Sequence, residues 1–133
     1  MTKVGYLGPA GTFTHDAALI FVRDSKYNLV EFFSIHELIL AAARGEVDEA
    51  VVPMENSMEG TVNLTVDMLI HEVELNVVGE LIIPIHHCLM AKAGTKIEDI
   101  TKVLSHPQAL AQCRKFLDNF LGGDKRQVTE STA

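Results

Sequence analysis

Three short polar clusters along the chain combine residue types that bind small molecules. They lie at residues 8–14 (GPAGTFT), 53–62 (PMENSMEGTV) and 105–113 (SHPQALAQC), and each follows a short apolar run and precedes helical periodicity. Glycines let the backbone approach a ligand closely, and hydroxyl and amide side chains both donate and accept hydrogen bonds. Open α/β sheets bind ligands outside the carboxyl ends of their strands. The clusters therefore predict a polar binding site at such strand ends.

The first two clusters offer hydroxyl and amide groups to a ligand. Thr12 and Thr14 lie at a predicted helix start, where backbone N–H groups favour anions; the alternative is an ordinary helix cap. Asn56 and Ser57 suit a ligand carboxylate or hydroxyl; the alternative is an Asx turn in which Ser57 caps the next helix. Glu55, beside them, is a weaker candidate.

The third cluster contains Gln108 and a histidine, His106, that can act as an acid or base near neutral pH. Because His106 precedes a proline, its alternative role is a hydrogen bond to the backbone. We interpret Gln112 and Cys113, one turn further on, as packing residues. No serine lies in a Gly-x-Ser-x-Gly setting, so we expect positioning and electrostatic stabilisation rather than covalent catalysis.

Histidine and cysteine usage predicts neither a metal site nor a disulfide scaffold. His86 and His87 are adjacent, and adjacent residues of a strand point to opposite faces, so they make a poor chelating pair. Of the other histidines, His15 is expected on a helix face or at the surface. The two cysteines, Cys88 and Cys113, have apolar neighbours and are expected to be buried, reduced thiols.

Composition narrows the class of protein. The chain has 133 residues, 47% of them hydrophobic and 22% charged, which is ordinary for a globular protein with a real core. The net charge of −7 and the lack of a basic cluster argue against nucleic-acid binding. No apolar run reaches the roughly 18 residues of a membrane helix, and the start lacks a signal-peptide core. We therefore expect a cytoplasmic protein that is not a membrane protein.

The secondary-structure pattern predicts a parallel sheet with crossover helices. Strands are predicted over 3–7, 28–33 and 49–52, with a helix after Thr12 or Thr14 and another after the capping box that begins at Ser34. Further on, the pattern predicts helices at 62–72, 96–100 and 107–120 and strands at 77–83, 102–104 and 126–128. Residues 1–76 are interpreted as a first α/β lobe, and 77–133 as a crossover and a partial second lobe.

Four motifs in one order make the chain resemble the prephenate dehydratase family. They are Gly8 to Thr14 followed by two alanines, Glu55 to Val62, His106 to Cys113, and the final Thr129-Glu130-Ser131-Thr132-Ala133. The resemblance implies an α/β, type II periplasmic-binding-protein-like fold, with two lobes of mostly parallel sheet flanked by helices and an active site in the cleft. It also implies decarboxylating dehydration of prephenate to phenylpyruvate in phenylalanine biosynthesis, with no cofactor or metal, in a homo-oligomer.

The resemblance assigns residues to two walls of the substrate site. It implies that one wall carries Thr12, Thr14, Asn56 and Ser57, and the other Gln108, Ser131 and Thr132, with Glu55 and His106 as weaker candidates. The essential threonine of the family belongs to a Thr-Arg-Phe motif expected beyond Ala133, as is a regulatory domain. We therefore expect the second lobe to be incomplete, and this chain alone to self-associate and to be inactive.

Two other functions fit the same residues. One is a non-enzymatic module of the same fold that binds a small carboxylate, and the other is an arogenate or cyclohexadienyl dehydratase. A natural gene that continues past Ala133 into a Thr-Arg-Phe segment would favour the enzyme over the binding module.

Overall fold

The computed structural model describes residues 1–23, 26–57, 60–122 and 126–128, the last three by their backbone alone. The chain divides into two compact units, the first from Met1 to Pro84 and the second beginning at Ile85. The division into lobes at residues 76 and 77 stays a prediction. Across the described residues, every helix is too short or too polar to cross a membrane.

The first unit is built on a parallel three-stranded sheet. Its strands are β1 (Thr2–Leu7), β2 (Tyr27–Phe32) and β3 (Glu49–Val51), in the order β2-β1-β3. All pairs are parallel, with Tyr6 opposite Glu31 on one side and opposite Val51 on the other. This pairing confirms the predicted parallel sheet. A helix lies between each strand and the next, and parallel strands need such a crossover connection.

Helices α1 (Phe13–Phe21) and α2 (Ile35–Ala43) cover opposite faces of this sheet. The Thr12 hydroxyl accepts a hydrogen bond from the His15 amide at the start of α1, and the Ser34 hydroxyl does the same for Glu37 in α2. The cap predicted at Ser34 is therefore confirmed, and of the two threonines predicted as the cap of α1, the structure has Thr12. His15 of α1 lies against Tyr6, whereas the buried side chain of Leu38 in α2 reaches the backbone of β1 at Gly5 on the other face.

A hairpin follows β3 and leads into the third helix. Strands β4 (Glu55–Asn56) and β5 (Gly60–Thr61) pair antiparallel, and helix α3 (Asn63–His71) begins two residues later. Helix α3 has no side-chain cap, and its N-cap residue is Val62. The alternative that Ser57 caps this helix is therefore wrong. Instead, the buried Thr65 hydroxyl donates to the Pro53 carbonyl at 2.8 Å, which joins α3 to the end of β3.

Residues 73–91 contain neither helix nor strand, so the strand predicted over 77–83 is wrong. The apolar run at residues 77–83 suits a buried strand, but a strand also needs a neighbouring strand with which it can pair. No described segment pairs with it. Its apolar side chains are left exposed, with exposed fractions of 77% at Val78, 89% at Ile82 and 83% at Met90.

The second unit is a smaller α/β assembly. A 3-10 turn (Ile97–Asp99) precedes β6 (Val103–Ser105), which pairs in parallel with β7 (Arg126–Val128). The single helix predicted over 107–120 is two helices, α4 (Pro107–Gln112) and α5 (Arg114–Phe120), separated at Cys113. The break escapes prediction because the buried side chains keep helical spacing across it; they are Leu110, Leu117 and Leu121.

Candidate functional site

The strand order places the first two polar clusters at one edge of the sheet. The chain passes from β1 to β2 on one side and then to β3 on the other side of β1, so the strand order reverses between β1 and β3. Because β1 and β3 are parallel, the loops that follow them leave the same edge of the sheet. A reversal of this kind is where open α/β sheets form a ligand crevice. Thr12 and Thr14 follow β1, and Asn56 and Ser57 follow β3.

The loop after β1 uses most of its backbone donors internally. The Ala10 amide donates to Glu31 Oε1 at 2.7 Å, the Gly11 amide to His15 Nδ1 at 3.2 Å, and the Thr12 amide to the Pro9 carbonyl at 3.4 Å. These three N–H groups of the loop are therefore already satisfied, and free N–H groups at the start of α1 itself stay a prediction.

Of the two threonines, Thr12 is the one engaged locally. Its hydroxyl caps α1 and donates to the Leu7 carbonyl at 3.5 Å. Thr14 lies half-buried in the first turn of α1. The capping alternative thus holds for Thr12, and a role in ligand binding stays a prediction for both residues.

Glu31 and His15 contact the loop after β1, and sequence reasoning missed both contacts. The centroids of the His15 and Tyr6 rings are 4.9 Å apart, so His15 is a half-buried helix-face residue, one of the two alternatives predicted for it, and it supports the loop. Burial raises the pKa of the Tyr6 hydroxyl above its ordinary value of 10.0, and the negative charge of Glu31 raises it further. The register between β1 and β2 brings Glu31 next to β1. A single sequence does not show this register, so the contact could not be predicted.

The hairpin after β3 presents the second cluster. Asn56 is half-buried and its backbone pairs with Gly60, whereas Glu55 and Ser57 are exposed. The Val62 amide donates to the Met54 carbonyl at 2.9 Å, which closes the base of the hairpin. The hairpin therefore has a fixed base, with Asn56 in its first strand and Ser57 in its turn.

The third cluster lies in the second unit, at the carboxyl end of β6. His106 is the N-cap of α4, and its Nδ1 accepts the Gln108 amide at 3.2 Å. The backbone alternative for His106 is therefore present in the structure, and Gln108 lies half-buried in the first turn of α4. Gln112, interpreted as a packing residue, instead bonds through Oε1 to His87 Nε2 at 2.8 Å. Cys113 packs as expected, whereas Cys88 is exposed, so its predicted burial is wrong.

Ser131 and Thr132, predicted for the second wall, lie outside the described residues. Within the described ranges, no group of three or more His, Cys, Asp or Glu side chains is placed to hold a metal ion. The chemistry available at the described clusters is hydrogen bonding by hydroxyl, amide and imidazole groups.

Sequence comparisons give one consistent result. A family model described as prephenate dehydratase matches residues 4–133. The chain is 49% identical to a prephenate dehydratase of Bacillus subtilis, over 98% of this chain and 46% of the relative. It is 42% identical to a bifunctional chorismate mutase/prephenate dehydratase of Pseudomonas aeruginosa, over 98% of this chain and 35% of that protein. The chain thus spans less than half the length of these relatives.

Solved structures agree with the sequence comparisons. The prephenate dehydratase of Arthrobacter aurescens, crystallised in complex with L-Phe, matches 99% of this chain and 42% of its own, with a TM-score of 0.81 and 32% identity. The enzyme from Staphylococcus aureus Mu50 matches 99% of this chain and 48% of its own, with a TM-score of 0.82 and 28% identity. The α/β fold with parallel sheet and flanking helices is therefore shared with solved prephenate dehydratases, which confirms the predicted fold class.

Proposed function

The chain belongs to the prephenate dehydratase family, and from this premise we propose that the protein converts prephenate to phenylpyruvate in phenylalanine biosynthesis. The observation that carries the proposal is the meeting of two polar clusters at one sheet edge, where the strand order reverses between β1 and β3. This edge supplies hydroxyl and amide groups rather than a nucleophile with its base. Such groups suit a reaction that needs positioning of a small dianion.

The proposed reaction is redox-neutral and consumes one proton. The ring carboxylate leaves as carbon dioxide, and its bonding electrons form the aromatic ring as the C–O bond to the ring hydroxyl breaks. That hydroxyl takes a proton and leaves as water, so prephenate dianion and one proton give phenylpyruvate, carbon dioxide and water. Aromatisation favours the products, so the protein's task is to orient the two carboxylates and to donate to the leaving oxygen.

We propose substrate-contacting side chains for each unit separately. Asn56, Ser57 and Thr14 are the proposed donors of the first unit, with Thr12 fixing the loop from its capping position. The second unit offers two candidates, Gln108 and His106. We propose Gln108 as the contact, because Nδ1 of His106 already accepts a hydrogen bond from a backbone amide. Ser131 and Thr132, which lie outside the described residues, are the remaining proposed substrate contacts.

We further propose that the whole protein is a cytoplasmic homo-oligomer and that this chain alone is inactive. Support comes from the exposed apolar side chains of Val77, Val78 and Ile82 in the first unit, since clustered exposed apolar side chains mark surfaces that another chain segment covers. The chain also spans less than half of its relatives. Incubation of the 133-residue chain with prephenate should give phenylpyruvate only at the spontaneous rate. Turnover above that rate would contradict the proposal that this chain alone is inactive.

Replacement of Asn56 by aspartate in the full-length protein tests the substrate site. The change keeps the shape of the side chain but puts a carboxylate where we place a substrate carboxylate. We expect kcat/KM to fall by at least about tenfold, since one unfavourable interaction of about 1.4 kcal/mol is a factor of ten. Phenylpyruvate formation, followed by its absorbance in alkali, measures the effect.

Asn63→Asp is the matched control for this test. Asn63 undergoes the same chemical change, is exposed, and lies at the first position of α3 rather than in a polar cluster. Its kcat/KM should stay within about twofold of the wild type, because exposed surface substitutions have small effects. Equal values for the two variants would remove Asn56 from the substrate site.

A further inference from the structure

We propose that Glu31 is a positioning residue, which fixes the loop at residues 8–11 and thereby sets the place of Thr12 and Thr14 in the substrate site. The kinetic part of this inference rests on the proposed function. The structural part rests on the contacts of Glu31 alone. Glu31 lies on β2, outside all four family-like motifs, so neither composition nor motif spacing points to it.

Sheet geometry brings the Glu31 side chain beneath the loop. Tyr6 and Glu31 are directly opposite in the parallel β1–β2 pair, so their side chains share one face of the sheet. Since side chains alternate along a strand, residue 8 faces the same way as Tyr6. The Gly8 amide continues the ladder by donating to the Phe32 carbonyl at 2.7 Å. Glu31 therefore faces the position where the loop begins.

The absence of a side chain at Gly8 makes room for the Glu31 carboxylate. A Cβ added to Gly8 would lie 2.5 Å from both Cγ and Oε1 of Glu31, far inside contact distance. The same Oε1 accepts the Ala10 amide at 2.7 Å. A side chain at position 8 must therefore displace the group that holds Ala10.

The Glu31 contact works together with a second support of the loop. The next amide, that of Gly11, donates to His15 Nδ1, and the His15 ring lies against Tyr6, the strand partner of Glu31. Consecutive amides are thus held by Glu31 from the sheet and by His15 from α1. Loss of Glu31 releases the Ala10 amide and leaves the loop to the remaining bonds of Gly8, Gly11 and Thr12, so the threonines at the start of α1 are held less firmly at the sheet edge.

Four variants of the full-length protein test this inference: Glu31→Ala, Glu31→Gln, Gly8→Ala and the double variant Gly8→Ala/Glu31→Ala. Misplacement of substrate-contacting groups by about 1 Å can cost on the order of a hundredfold, so we expect kcat/KM to fall about ten- to a hundredfold in Glu31→Ala. Glu31→Gln keeps an oxygen acceptor for the Ala10 amide and should stay within about threefold of the wild type. Glu74→Ala, at an exposed position of the same unit, is the control for loss of a glutamate.

The double variant distinguishes positioning from two independent defects. Because Gly8→Ala acts by displacing Glu31, the double variant should be no more than about twofold worse than the poorer single variant, whereas independent sites multiply their effects. Multiplied losses, or a Glu31→Ala variant that matches Glu74→Ala, would overturn the inference. A loss in Glu31→Gln as large as in Glu31→Ala would do the same.

Hydrogen–deuterium exchange separates failure of this inference from failure of the proposed function. The peptide that contains Ala10 should exchange faster in Glu31→Ala and Gly8→Ala than in the wild type, and at the wild-type rate in Glu31→Gln. If the wild-type protein forms no phenylpyruvate, the proposed function fails, and this exchange pattern alone decides the role of Glu31. Unchanged exchange in Glu31→Ala overturns the inference, whatever the kinetics show.

Discussion

Replacement of Thr65 by valine removes the bond that ties α3 to the end of β3. Thr65 is fully buried, and its hydroxyl donates to the Pro53 carbonyl at 2.8 Å across twelve positions of sequence. Valine has nearly the same shape, so packing is retained while the donor is lost. Pro53 precedes the hairpin that carries Asn56, and the variant therefore tests the attachment of the site as well as the stability of the unit.

The expected cost follows from the burial of the hydrogen bond. A hydrogen bond contributes about 0.5–1.5 kcal/mol net, and a buried group left without its partner costs about 1–3 kcal/mol. Pro53 is half-buried, so water reaches part of this region and the lower half of that range applies. We expect Thr65→Val to lower the free energy of unfolding by about 1–2 kcal/mol, which is roughly a five- to thirtyfold change in the folded-to-unfolded ratio.

Tyrosine fluorescence during urea unfolding measures this change in the first unit alone. The chain contains two tyrosines and no tryptophan, and both tyrosines, Tyr6 and Tyr27, lie in strands of the first unit. Thr61→Val, at an exposed position of β5 in the same unit, makes the same chemical change and should stay within about 0.5 kcal/mol of the wild type. A Thr65→Val value inside that same margin would refute the reasoning that this hydroxyl stabilises the unit.

Two further perturbations address the sheet. Gly5→Ala should lower the free energy of unfolding by about 1–3 kcal/mol, because the added Cβ would lie 2.5 Å from Leu38 Cδ1. Urea unfolding measures this loss. The same substitution should cost less in a Leu38→Ala background, where the clashing side chain is absent. The raised pKa of Tyr6 means that the unfolded chain releases the tyrosine proton first. The Tyr6 hydroxyl should therefore leave the free energy of unfolding unaffected below about pH 10 and should lower it above that pH. In Tyr6→Phe the free energy of unfolding should fall less steeply above about pH 10. Parallel curves of unfolding free energy against pH for the two proteins would contradict the raised pKa of Tyr6.

Local signals in the sequence predicted much of the first unit. The helix caps at Thr12 and Ser34 and the three parallel strands were predicted because capping groups and apolar periodicity act over a few residues. The polar clusters were placed correctly at the ends of β1, β3 and β6 for the same reason. Where no local signal existed, prediction failed, as at the break between α4 and α5 at Cys113.

The strand predicted over 77–83 shows the limit of local pattern. Its residues have the composition of a strand, but a strand forms only against a neighbour, and no described segment supplies one. The same limit explains the contacts that were missed at the first loop. Glu31 is twenty-one positions from Ala10, and only the β1–β2 register brings them together.

The sequence by itself determined the polar groups, the strands and helices around them, and the family, because these depend on residue type and short spacing. Tertiary structure alone decided the strand order β2-β1-β3, which puts the loops after β1 and β3 at one edge. It also decided that Glu31 and Thr65 hold those loops. Strand order and such supports depend on which distant segments pack together, and that choice is made by the whole folded chain rather than by any short stretch of it.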